Sequence, residues 1–146
     1  MNWKYKNIEF NEAPNGYVGF IYMIKFEDGK RYIGKKNFFS LRKRNFGKKE
    51  LKLITDKRLK KYEMVSKESN WKDYCSSNTE VASKIKNGDR YVKDILSFGT
   101  CSKHLTFLEE QYLYFHRVLY NENYLNDNIS GRFFTKDISE WEYKRK

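Results

Sequence analysis

Tyr22 and Tyr32 flank a tight turn, Arg42 follows ten residues after the second, and two adjacent carboxylates, Glu109 and Glu110, stand far down the chain. A guanidinium stays charged at any physiological pH, and its planar fork donates two bonds to one phosphate, so Arg42 suits a phosphate clamp. Between Arg42 and Lys61 there are ten Lys or Arg residues against only Glu50 and Asp56. One-sided charge at that density repels itself unless phosphates neutralise it. The tyrosines alone ask for less: two aromatics in a hairpin form a core or rim pair, and the chain holds 12 Tyr.

The elements that would position these groups can be read from pattern. Val18 to Phe26 is apolar and rich in β-formers, Glu27-Asp28-Gly29-Lys30 is a turn whose Asp-Gly supplies positive φ, and Arg31–Lys35 is a second strand. Tyr22 and Tyr32 then lie on antiparallel neighbours. In the basic run, Leu41, Phe46, Leu51, Leu53, Ile54 and Leu59 interleave with the charges, which predicts a helix or two covering the sheet with basic side chains outward. Ser77-x-x-Glu80 is a capping-box pattern opening a short helix that closes at Asn87-Gly88, and Tyr91–Phe98 is a third strand. Leu105, Leu108, Tyr112, Phe115 and Leu119 mark a helix over 103–120. On that helix Glu109 lies roughly 80° from the centre of the stripe and Glu110 about 180° away. Glu109 is therefore placed at the edge of the packed face and Glu110 toward solvent, although Thr106-x-x-Glu109 is also a plain capping box.

Phe20-Ile21-Tyr22, nine residues, Tyr32-Ile33-Gly34-Lys35 and then Arg42 resembles the GIY-YIG nuclease family, most of all its small free-standing bacteriophage members. Phe20 departs from the motif by standing where its first Gly belongs, with Gly19 one residue earlier. The resemblance implies an α/β fold, an α+β sandwich with a small, mainly antiparallel three-stranded sheet flanked by helices. It implies one domain over 1–146, with a basic insertion at 43–77; the Pro14-Asn15-Gly16 turn marks off an arm at 1–16 beside the hairpin, and Phe133, Phe134 and Trp141 mark a packed tail at 129–146 ending in Lys-Arg-Lys.

The activity implied is a metal-dependent DNA endonuclease that hydrolyses phosphodiester bonds by nicking or double-strand cleavage, serving homing or DNA degradation. Glu109 would hold one Mg²⁺ or Mn²⁺, with Glu110 chosen by a rival alignment. Arg42 would clamp the phosphate, and Tyr22 or Tyr32 would orient or deprotonate the attacking water once Lys35, Arg42 or the metal lowers the phenol's pKa. Lys35, Lys36, Lys43, Arg44, Lys48, Lys49, Lys57, Lys60 and Lys61 would meet the nucleic acid. Asn126, rather than Asn128, would be the family's closing Asn, also at the nucleic acid. Trp71-x-x-Tyr74, followed by Ser76 and Ser77, resembles a further family element.

Composition sets the bounds. The chain has 146 residues, 39% hydrophobic and 18% aromatic, with a net charge of +11. That is a globular chain with a polyanionic partner. The basic run has no clean apolar face beside it, which favours nucleic acid over a membrane surface; the resemblance makes that double-stranded DNA. The longest apolar run, Val18–Ile24, is too short to span a bilayer, and the amino terminus has no apolar signal core; an intracellular protein is expected, in the host cytoplasm if phage-encoded. Cys75 and Cys101 read as free thiols, and His104 and His116 have no ligand spacing. Nothing signals more than a monomer or weak dimer. A non-catalytic nucleic-acid-binding module on a degenerate nuclease scaffold is the alternative, whereas an RNA-associated basic protein leaves the motif spacing unexplained.

Overall fold

The computed structural model describes residues 1–145; Lys146, the last residue of the basic end, lies outside the described residues. The chain order is β1 (Trp3–Tyr5), β2 (Ile8–Glu9), β3 (Gly19–Phe26), β4 (Arg31–Asn37), β5 (Phe39–Asn45), α1 (Lys48–Leu53), β6 (Tyr62–Glu68), α2 (Thr79–Lys86), β7 (Tyr91–Gly99), α3 (Ser102–Phe115), β8 (Asn128–Ile129), β9 (Phe133–Phe134) and α4 (Thr135–Arg145).

β3 and β4 form the expected hairpin: Met23 pairs with Ile33 and Tyr22 with Gly34. Its turn closes as Asp-Gly chemistry dictates, with Gly29 at φ 93° and the Lys30 amide donating to the Asp28 carboxylate at 2.9 Å. β7 lies antiparallel on the other side of β3, with a bulge opposite Ile21 and Tyr22. The fold class is as anticipated, an antiparallel core of three strands with helices packed on it. Two short strands extend the sheet to the order β2-β1-β7-β3-β4. The amino-terminal arm supplies them, and it joins at β7, in parallel, rather than beside the hairpin.

β3 is central and buried on both faces, so it reads as a continuous apolar run instead of an alternation. Phe20, Tyr22 and Ile24 face one side, where Trp3, Phe38, Trp71 and Val81 of α2 close an aromatic core. Ile21 and Met23 face the other, against Leu105 and Leu113 of α3. Edge-on rings link the aromatic layer, with Trp3–Phe20 at 5.0 Å and Phe38–Trp71 at 5.1 Å. The Trp3 indole donates to the Trp71 carbonyl at 2.6 Å, which ties the arm to the segment before α2.

Four local expectations are corrected. The basic run does not form helices over the sheet. Its first four residues, 42–45, lie on β5, which pairs with β6 just beyond the run to make a separate two-stranded ribbon, and the connection between those strands holds the six-residue α1. Lys and Arg favour helix weakly, but pairing with the β-forming stretch Tyr62–Val65, far along the chain, overrides that preference. α2 is capped by Asn78, whose side chain accepts from the Glu80 and Val81 amides, so Ser77 lies outside the helix. α3 ends at Phe115 rather than near residue 120, because the chain turns left-handed at Arg117, φ 51°. Thr106 is interior to α3, whose cap is Cys101, so Thr106-x-x-Glu109 caps nothing.

Candidate active site at the edge of β4

β4 is the outer strand of the sheet, and the free side of its first half is covered by residues 123–126. The Arg31 amide donates to the Asn123 carbonyl and the Leu125 amide to the Arg31 carbonyl, each at 2.7 Å. Asn126 completes the cover with its side chain: Oδ1 accepts from the Ile33 amide at 3.0 Å and Nδ2 donates to the Ile33 carbonyl at 2.8 Å. The side chain expected at the nucleic acid is thus buried and spent on the backbone of the strand that carries Tyr32. Asn128 instead accepts from the Gly131 amide.

Beside this cover opens a polar cleft of about 340 Å³, lined by Tyr32, Ser77, Asn78, Glu109, Asp127 and Ser130 among others. Tyr32 shares a sheet face with Tyr22 by register, their rings 6.3 Å apart and tilted by 37°. Tyr22 is almost wholly buried, between Trp3 and Tyr74, with ring centroids 5.2 and 6.1 Å away. Burial pushes the Tyr22 phenol far above the ordinary tyrosine range, and a hydrogen bond with Ser76 opposes this. Tyr32 is raised by the same cause and again opposed by Ser76, with the charge of Glu109 adding to the rise. Ser76 therefore serves both phenols, and it does so from a left-handed backbone, φ 82°, that a serine adopts at a cost.

Glu109 enters from the opposite face of the sheet. The buried positions of α3 are Leu105 and Leu113, and Glu109 lies between them at the i, i+4 spacing. It is half-buried, makes no hydrogen bond with any described residue, and its carboxyl is raised by burial against the pull of Lys35. Glu110 is spent otherwise, accepting from the Ser130 hydroxyl. Lys35 leaves β4 toward α3, donating to Thr106 Oγ1 at 2.8 Å, while Lys36 leaves by the other face and lies 4.1 Å over the Tyr74 ring.

Arg42 is not brought to this cleft. It stands exposed on β5, paired with Val65, about 10 Å along the ribbon from the start of the strand at ~3.3 Å per residue. Lys43 lies over the Tyr62 ring at 4.2 Å, and Arg44 is held by Glu63 and Glu50 at 2.6 and 2.8 Å. Lys48 and Lys49 are on α1, and Lys57, Lys60 and Lys61 on the return to β6, all five exposed. Sequence reasoning passed over Ser76 and gave Trp71-x-x-Tyr74 no role. The signal was the Trp-x-x-Tyr-Cys-Ser-Ser string itself, in which Trp71 anchors the loop at 0% exposure and Tyr74 and Ser76 flank the phenols.

Two tyrosines on a hairpin and a carboxylate from a packed helix thus meet at the candidate centre, in a chain whose fold class is that of a GIY-YIG nuclease domain. The family model described as "Putative endonuclease segE, GIY-YIG domain" matches residues 3–129, and the chain belongs to the GIY-YIG endonucleases, a family of phosphodiester hydrolases. Among curated proteins it is similar to Intron-associated endonuclease 2 of Enterobacteria phage T4, 27% identical over 147 residues, covering 100% of this chain and 45% of that relative. The chain thus spans less than half the length of the relative. No solved structure matches it. Among the described residues no helix is long and apolar enough to cross a membrane.

Proposed function

We propose that the chain is a divalent-metal-dependent DNA endonuclease whose active centre is the cleft at the edge of β4. The observation that carries this is Glu109, a half-buried carboxylate with no hydrogen-bond partner among the described residues, set among Tyr32, Lys35 and the polar cleft wall. Desolvating a carboxylate without a partner costs stability, so a group left in that condition is a candidate for function.

No group of three or more metal-ligating side chains occurs among the described residues, which argues against a caged zinc site. One carboxylate beside hydroxyl and amide oxygens suits a hard cation that keeps most of its water, as Mg²⁺ or Mn²⁺ does. Glu109 would hold it, and when bound it supplies positive charge to the phosphate oxygens. Tyr32 reaches the cleft and, kept protonated by burial, orients the attacking water by hydrogen bonding instead of acting as a preformed phenolate. Tyr22 lies behind it and positions Tyr32 through Ser76. Lys35 balances the carboxylate and lies at hand for a phosphate oxygen. Arg42 approaches the DNA from the ribbon and grips a phosphate beside the scissile one.

Supercoiled plasmid, incubated with Mg²⁺, Mn²⁺ or EDTA, tests this with Glu109→Ala beside Glu110→Ala. Metal-dependent nicking lost at 109 and kept at 110 is the expected outcome. Loss at 110 alone would move the ligand one residue. The position of Arg42 outside the cleft favours a second reading, a DNA-binding module without catalysis, and retained binding with no cleavage under either metal would select it.

A further inference from the structure

We infer that the β5–β6 ribbon is a groove reader, entering the major groove of duplex DNA with its Leu41–Lys43–Met64–Ser66 face against the base edges; this rests on the DNA-endonuclease reading above. Four acids lie in 39–68; three pair with the segment's own arginines and the fourth is held by a neighbouring indole. Glu50 and Glu63 hold Arg44, Asp56 holds Arg58, and Glu68 accepts from the Trp71 indole. The remaining basic residues of the segment, Arg42, Lys43, Lys48, Lys49, Lys52, Lys57, Lys60, Lys61 and Lys67, have no acidic partner among the described residues. Nine cations without counter-charges among the described residues call for a polyanion.

Shape narrows the polyanion. β5 and β6 pair in seven register steps, from Phe39 with Glu68 to Asn45 with Tyr62, and no residue of either strand is buried. A two-stranded ribbon with both faces wet is marginal in water, yet this one is firmly rooted. Phe38 at its base is fully buried, the Ser69 amide donates to the Phe38 carbonyl at 2.8 Å, and Ser69 Oγ donates to the Asn37 carbonyl at 2.6 Å. It is held out from a fixed base. Its length is about 23 Å, and a two-stranded ribbon is the width that the major groove, about 12 Å across, admits.

The faces differ in chemistry. By register, Leu41 faces Ser66 and Lys43 faces Met64 on one side, while Arg42 faces Val65 and Arg44 faces Glu63 on the other. The first carries apolar groups left open, Leu41 at 70% and Met64 at 54% exposure, beside donors. Apolar tips for thymine methyls and short donors for purine acceptors are what base edges in that groove require. Arg42 and Lys67 of the second face and the lysines of 48–61 reach the flanking phosphates. β4 leads into β5 with only Phe38 between, so the contacts fall within about one helical turn of the cleft.

The test measures binding of the full chain in EDTA, where cleavage plays no part. It uses a duplex of about three helical turns, the same duplex with bulky groups on thymine C5 that fill the major groove, and netropsin to fill the minor groove. Affinity should fall about tenfold or more on the C5-blocked duplex and change less than about twofold with netropsin. Replacing 41–66 by an Asn-Gly turn should weaken binding and erase the difference between duplexes. Should that variant fail to fold, Leu41→Ser with Met64→Ser on the exposed face must erase the difference instead. Displacement by netropsin, indifference to the C5 groups, or discrimination surviving in the variants would overturn the inference. So would a sedimenting dimer that Leu41→Asp disperses, since it would give the face to a second copy. Plasmid nicking is read separately: a ribbon result without nicking sinks the nuclease reading alone.

Discussion

A Cβ at position 34 would come within 2.5 Å of the Tyr22 hydroxyl and 2.6 Å of its Cζ, so the phenol lies directly on the backbone of the neighbouring strand. Gly34 faces Tyr22 across the hairpin, and its bareness lets the ring extend toward the edge of the sheet where the cleft opens. Gly34→Ala should push Tyr22 off its bond with Ser76 or displace β4. We expect a loss of about 1–3 kcal/mol in thermal or urea unfolding, as for other overpacked cores. Nicking should fall further than stability explains, and equal nicking per folded molecule would show that the placement of Tyr22 does not matter.

Glu109 should trade stability for activity. Glu109→Gln removes a charge that burial penalises and keeps the shape, so Tm should stay level or rise while metal-dependent cleavage disappears. Glu110→Gln weakens the acceptor for Ser130 and should do the reverse, lowering Tm slightly with cleavage kept. Differential scanning calorimetry beside the nicking assay reads both, and a Tm drop in the 109 variant would make Glu109 a structural residue.

What was legible in the chain was what local pattern encodes. The Asp28-Gly29 turn, the paired strands around it and β7 follow from residues within a few positions of one another. Glu109 was placed at the margin of the apolar stripe. The true stripe runs through Leu105 and Leu113, because α3 stops at Phe115, and Phe115 is 78% exposed. That shift moves Glu109 inward. The ribbon was illegible, since the partner of Arg44 is Glu63 and no local rule joins them. Ser76 was illegible for a different reason: serine has no intrinsic preference for the positive φ it adopts there, between the buried Trp71 and the Asn78 whose amide donates to its hydroxyl.

Asn126 should behave as a clamp. Asn126→Ala orphans the Ile33 amide and carbonyl in a buried setting, and the loss should be about 1–3 kcal/mol in urea unfolding. Asn126→Asp keeps the acceptor for the amide but sets a second acceptor against the Ile33 carbonyl, and should be no better. DNA affinity of the folded fraction in EDTA should be unchanged. A drop in affinity without a drop in stability would return this residue to the DNA surface.

The phenols set an alkaline limit. Burial raises Tyr22 above its ordinary value of 10.0, so between 10 and the raised value the unfolded chain has lost a proton that the native state keeps. Stability therefore falls as pH rises above about 10, by up to ~1.4 kcal/mol per pH unit for each such phenol, and is unaffected below. Tyr22→Phe should flatten that slope in denaturant titrations at pH 9 to 11. Ultraviolet titration should show this phenolate appearing only with unfolding. A phenolate forming in the native protein near pH 10 would contradict the burial.

The tip of the ribbon should set the salt dependence of binding. Lys48, Lys49, Lys57, Lys60 and Lys61 are exposed and have no acidic partner among the described residues, whereas Arg44 is already neutralised by Glu50 and Glu63. Each lysine that meets a phosphate releases a counterion, steepening the fall of log K with log salt by about 0.9. Changing all five to Gln should flatten the slope by up to about 4.5, whatever the DNA sequence. Arg44→Gln should leave the slope nearly as it was and lower the stability of the ribbon. Anisotropy titrations from low to moderate salt read both variants. A slope unmoved by the five lysines, or flattened by Arg44 alone, would place the phosphates on another face of the protein.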